Sequence, residues 1–97
     1  MYEIEYTQVA LDDLKWLRKN EQRMIVQAID TQLKYEPTVQ TRNRKPMRPN
    51  EIAEWELRIG QFRALYDVDE RVQIVDIERI GQKQGNKFLF RGKEEEI

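Results

Sequence analysis

The sequence predicts an α+β fold: an N-terminal strand, an antiparallel helical hairpin, and a mainly antiparallel sheet of about four to five strands. Three observations lead there. Residues 54–68 alternate apolar and polar side chains, and residues 71–81 are rich in β-branched ones. The stretch before Pro37 carries apolar residues at helical spacing. The helical part also precedes the strands as a block, which is the α+β order.

Each element follows from its residues. "YEIEY" (2–6) alternates Tyr2, Ile4 and Tyr6 against Glu3 and Glu5, a short strand with one wet face. Thr7 offers a capping hydroxyl to a first helix whose apolar stripe is Ala10, Leu14 and Leu17, with Leu11 beside it. Asp12 and Asp13 precede Lys15, Arg18 and Lys19, the order a helix dipole favours. Asn20 suggests a break. A second helix then runs over 21–37 on Ile25, Ala28, Ile29 and Leu33, widened by Met24 and Val26, until Pro37 closes it. So short a link predicts a helical hairpin.

Residues 38–53 show no period, and Pro46 and Pro49 exclude a central strand. "EWELRIG" (54–60) and "QFRALYDV" (61–68) are strands joined at Gly60-Gln61, "RVQIVDIERIG" (71–81) is a third, and "KFLF" (87–90) offers a fourth. Trp16, Trp55, Phe62 and Tyr66 fall at core-facing spacing. The domain spans 1–91, and "GKEEEI" (92–97) reads as an acidic, flexible tail.

Composition narrows the chemistry. The 97 residues include no cysteine, which removes disulfides, thiol catalysis and thiolate metal sites. There is no apolar run near the ~18 residues of a membrane span, and "MYEIEY" lacks signal-peptide order. A cytoplasmic protein is expected. Without histidine, no side chain titrates near neutrality by default. Any general base must be a carboxylate, tyrosine or lysine, and the rest of a site must work through Arg and Lys. The pairs Asp12-Asp13 and Asp67-Asp69 read as solvated, and no cofactor or metal is expected.

Charge is unevenly spread within a net of −1. "TRNRKPMRP" (41–49) holds Arg42, Arg44, Lys45 and Arg48 with no acid, and Arg79, Lys83, Lys87, Arg91 and Lys93 run just as free of acids. Arg58 and Arg63 fall on polar strand faces. Clustered cations with Arg forks suit phosphate. A charged solvated loop is the plainer alternative. Phe88 and Phe90 read as core or as base-stacking platforms.

The ordered string "WELRIGQFRALYDVDERVQIVDIERIGQK", with "ALDDLKWL" upstream, resembles the RelE/ParE superfamily of bacterial toxins over residues 2–90. The resemblance implies the toxin of a type II toxin–antitoxin pair, neutralised by a cognate antitoxin. RelE-like members cleave mRNA on the ribosome by attack of a ribose 2′-hydroxyl on its neighbouring phosphate. ParE-like members poison DNA gyrase instead, and a member that only binds its antitoxin is a further alternative. Arg63 matches the family's aromatic-Arg position, implying a phosphate stabiliser. Lys83 matches the basic position after Ile-Gly, implying an acid or phosphate clamp. Glu54 and Glu56 stand where relatives carry lysine, so either could act as base and Lys45 could supply the missing charge. Arg42, Arg44, Arg48, Arg58, Lys87 and Arg91 are the expected RNA contacts. Phe88 and Phe90 lie near the place of the family's late tyrosine.

Overall fold

The computed structural model describes all residues, Met1–Ile97. Nine elements follow in order: β1 (Glu3–Tyr6), α1 (Gln8–Trp16), α2 (Lys19–Leu33), β2 (Arg44–Pro46), β3 (Trp55–Ile59), β4 (Phe62–Asp69), β5 (Ile74–Gln84), β6 (Lys87–Phe90) and β7 (Lys93–Glu95). One sheet runs β2-β3-β4-β5-β6-β7 in antiparallel pairs, and β1 pairs with β5 in parallel. The α+β class and the two leading helices agree with the sequence reading. The sheet has 7 strands, not four or five.

Both extra strands are short edges that no periodicity announces. In β2, Pro46 pairs with Trp55 at the margin of the sheet, where a missing N–H costs nothing. In β7, Lys93–Glu95 pairs with β6, so the predicted tail is a strand there. Its acids meet cations: Glu94 pairs with Lys87 at 3.5 Å and Glu95 with Arg79 at 3.2 Å.

Thr7 caps α1 as expected, its hydroxyl accepting from the Ala10 N–H at 3.0 Å. The break falls at Leu17 and Arg18, earlier than Asn20, and the Arg18 N–H donates to Glu21 at 3.1 Å to start α2. α2 ends at Leu33, before the expected Pro37. Pro37 is instead buried, and its carbonyl accepts from the Tyr66 hydroxyl at 2.7 Å.

The main core lies between the helices and one sheet face. Ala10, Leu14, Ile25, Ile29 and Leu33 meet Leu57, Phe62, Ala64, Tyr66, Val75, Ile77 and Ile80. Burying a side chain such as Ile29 contributes about 2 kcal/mol. Two expected apolar members fall outside. Trp16 is 56% exposed, lying at the helix end beside Gly92, and Met24 is exposed on the outer face of α2. A smaller second core covers the other sheet face, where Ala53, Leu65 and Phe90 gather Met47, Ile52 and Phe88. The segment after β2 therefore folds over that face.

Between the ends of β1 and β6, the margin of β5 has no strand neighbour, and α1 takes their place. The Thr7 hydroxyl donates to the Glu78 carbonyl at 3.0 Å, and the Asp13 carboxylate accepts from the Ile80 N–H at 3.1 Å. Asp13 also accepts from Arg79 at 2.8 Å and Arg91 at 3.0 Å, and is only 1% exposed. The solvated face expected for it is thus a buried ion-pair centre. The spacing held the signal: Ala10, Asp13 and Leu14 share one helical face.

Candidate nucleic-acid interface

β3 and β4 turn Leu57, Ile59, Phe62 and Ala64 into the core, so Glu56, Arg58 and Arg63 emerge on the opposite face. Arg58 stands across from Arg63, and Lys45 of β2 across from Glu56. Lys83 reaches this face through an irregularity. Leu65 pairs with Arg79 and Tyr66 with Ile77, which leaves Glu78 as an extra residue in β5. That bulge flips the alternation. Val75 and Ile77 point to the core before it and Ile80 after it, so Arg79, Gly81 and Lys83 point away. Strict period-two reading would have put Lys83 on the core side.

Gly81 lies opposite Arg63 in register, and its missing side chain has a local cause. A Cβ there would stand 2.5 Å from the Leu89 carbonyl and 2.6 Å from the Phe90 ring. Phe90 thus packs against the glycine, with the Arg79 guanidinium 4.1 Å from the ring centre. Phe88 stacks beside Phe90 at 6.2 Å, and the Lys83 ammonium sits 5.3 Å from the Phe88 ring. Both aromatics therefore floor the face that carries the cations. Phe90 is buried and Phe88 half-buried.

Arg63 is fixed before any ligand arrives. Its Nε donates to Glu56 at 3.0 Å, and Nη1 donates to the Gly60 and Phe62 carbonyls at 2.7 and 2.8 Å. The Arg63 and Glu56 side chains are 12% and 16% exposed. The second terminal nitrogen has no partner within the protein, so two N–H groups remain for an anion. Lys45, Arg48, Arg58 and Lys83 make no ion pair. An open cleft of about 570 Å³ is lined by Arg48, Lys83, Asn86, Lys87 and Phe88 together with the acidic β7 strand. A smaller one of about 210 Å³ joins it, between Met47, Arg48, Glu56, Lys83 and Phe88.

The nine expected residues therefore divide. Arg63, Lys83, Lys45, Arg48, Arg58 and Lys87 lie on or beside the cleft face. Arg42 is exposed in the loop before β2. Arg44 faces the helices, its Nη1 donating to the Gln32 carbonyl at 2.6 Å, because it lies across from the core residue Leu57. Arg91 is turned toward Asp13. Of the two glutamates, Glu56 enters the cleft, whereas Glu54 precedes β3 and uses its backbone N–H to reach Asp67 at 2.8 Å.

One further carboxyl is perturbed, on the bulge itself. Burial raises Glu78 from the ordinary carboxylate range to about 7, helped by Asp67 and Asp76. Near neutrality this bulge residue exchanges a proton, although it lies apart from the clefts.

A family profile described as the ParE toxin of type II toxin–antitoxin systems, parDE, matches residues 4–86. Among solved structures, the chain is similar to one in the toxin–antitoxin complex RelBE2 from Mycobacterium tuberculosis. The TM-score is 0.73 at 28% identity, covering 84% of this chain and 98% of that one. It shares its fold with a chain of the archaeal RelE–RelB complex from Pyrococcus horikoshii. There the TM-score is 0.68 at 20% identity, covering 87% of this chain and 96% of that one. No curated protein matches.

Proposed function

The chain belongs to the RelE/ParE superfamily, the toxins of type II toxin–antitoxin systems, and from that membership we propose that it stops translation by cutting ribosome-bound mRNA. The observation that carries this reading is Arg63. Its guanidinium is locked by Glu56, Gly60 and Phe62 with one nitrogen left free, on a face where Lys45 and Lys83 are uncompensated. The RelBE2 likeness at 28% identity supports it. A cognate antitoxin is the partner this family brings, and the ribosome with its mRNA is the target.

Cleavage of this class forms a bond from the ribose O2′ to phosphorus and breaks the bond from phosphorus to O5′. It leaves a 2′,3′-cyclic phosphate and a 5′-hydroxyl. Three things are needed: a base for the 2′-hydroxyl proton, positive charge for the crowded phosphate, and an acid for the departing oxygen. Glu56 serves as base, being the strand carboxylate of the smaller cleft. Arg63 donates to the non-bridging oxygens. Lys83 gives the proton to the 5′-oxygen, and Lys45 adds charge. Phe88 supports a flanking base by stacking.

The second reading is inhibition of DNA gyrase without cleavage. The family profile is that of ParE, and Phe88 and Phe90, which cannot move a proton, lie near the place of the late tyrosine. Purified ribosomes programmed with message decide between the two. Cuts in the ribosome-bound message support the nuclease. Intact message together with blocked supercoiling by gyrase moves the reading to the second.

A further inference from the structure

We propose that the acidic run Glu94–Glu96 is a built-in competitor for the basic cleft, so that an RNA must displace it in order to bind. This rests on the reading of the cleft as an RNA site. The larger cleft is lined by Arg48, Lys83 and Lys87 and, among the same lining residues, by Glu94, Glu95 and Glu96. The acids already engage cations. Glu94 holds Lys87 at 3.5 Å, and Glu95 holds Arg79, the arginine over the Phe90 ring, at 3.2 Å. Glu96 has no ion-pair partner of its own and lies in the same cleft as the uncompensated Arg48 and Lys83.

The contacts are built to be given up. The Glu94 and Glu95 side chains are 49% and 42% exposed, so each pair is individually weak. β7 is an edge strand of 3 residues, held by β6 on one side only. An edge so short has little stability of its own. The run thus places carboxylates among the cations that a phosphate chain would meet, without fixing them there. Its effect is selectivity. A ligand that touches one cation gains little over the resident carboxylates. One that engages several phosphates at once displaces the run.

The test uses the full chain carrying Glu94→Gln, Glu95→Gln and Glu96→Gln together, substitutions that keep hydrogen-bonding capacity and remove charge. Binding of a fluorescent twelve-nucleotide polyuridine is titrated across a range of salt, beside the unaltered protein and Lys83→Ala. The triple variant is expected to bind about tenfold more tightly at low salt. Its affinity should also fall more steeply with salt, by about 0.7 in the logarithmic slope for each cation freed. In the unaltered protein, part of the displaced charge is carboxylate and not counterion, so its slope is shallower. Equal affinity and slope in the triple variant, with Lys83→Ala weaker than both, would overturn the competitor and leave the cleft reading intact. No binding by any of the three proteins would overturn the cleft as an RNA site and the competitor with it. Circular dichroism of the triple variant checks that the sheet is kept.

Discussion

The Arg63 guanidinium carries five N–H groups, and the protein's own oxygens take three of them. On the proposed reading the residue therefore has a double role. Replacing Arg63 with Ala should lower cutting by at least 100-fold, because one preorganised donor to the phosphate is lost. It should also cost about 2 kcal/mol, since Glu56 would be left largely buried without its cation. The double variant Arg63→Ala with Glu56→Gln should regain most of that stability in urea unfolding while staying inactive. Equal inactivity with no stability change in the single variant would contradict the locked guanidinium. Glu78 titrates on the β5 bulge, apart from Arg63. Its folded-state pKa is raised from 4.5 to about 7. The folded state therefore holds a proton that the unfolded state releases earlier. Stability from this group is fully present below about pH 4.5 and is lost as pH rises through 7. Glu78→Gln should flatten the decline in melting temperature across that window. An unchanged slope would mean that Glu78 titrates normally.

At the scale of elements, β5 organises the molecule. Its first half pairs with β1, its last residues pair with β6, and α1 fills the margin between them through Thr7 and Asp13. Asp13→Ala removes the acceptor of the Ile80 N–H and of two arginines at once. The expected cost is about 3–5 kcal/mol by thermal or urea unfolding, with faster hydrogen exchange at the Ile80 amide. Gly81→Ala should cost about 2 kcal/mol or more, because its Cβ would meet the Leu89 carbonyl and the Phe90 ring. The bulge at Glu78 decides which face of β5 carries Lys83. Alternation in β3 and β4 was legible because each strand has one apolar face toward the helices. The bulge was not, since one extra residue leaves no periodic mark of its own. β2 and β7 were hidden for a related reason. They have 3 residues each and exist because a neighbouring strand offers them partners.

Across the molecule, one side of the sheet is closed by helices and the other is only partly covered, by the segment after β2 and by the Phe88 and Phe90 side chains of β6. Cations gather on that second side although the chain's net charge is −1. The loop "TRNRKPMRP" shows how far sequence reaches. Its basic composition was plain, but its parts go different ways. Arg44 is fastened to the Gln32 carbonyl under the helices, whereas Arg48 lines the cleft. Arg44 takes its direction from pairing with Leu57 in β2, whereas Arg48 follows the end of that strand in the segment that folds over the other sheet face, and both placements depend on contacts distant in sequence. Asp13 is the converse case, a residue whose helical spacing marked it as inward-facing although its charge argued for solvent. No helix is long and apolar enough to cross a membrane. Whether the Arg63 face cuts message on the ribosome, as proposed, is decided by toeprinting with purified ribosomes. The expected result is breaks in ribosome-bound mRNA, none in naked mRNA, and loss of the breaks with Arg63→Ala. Message that stays intact on the ribosome at saturating protein would contradict it.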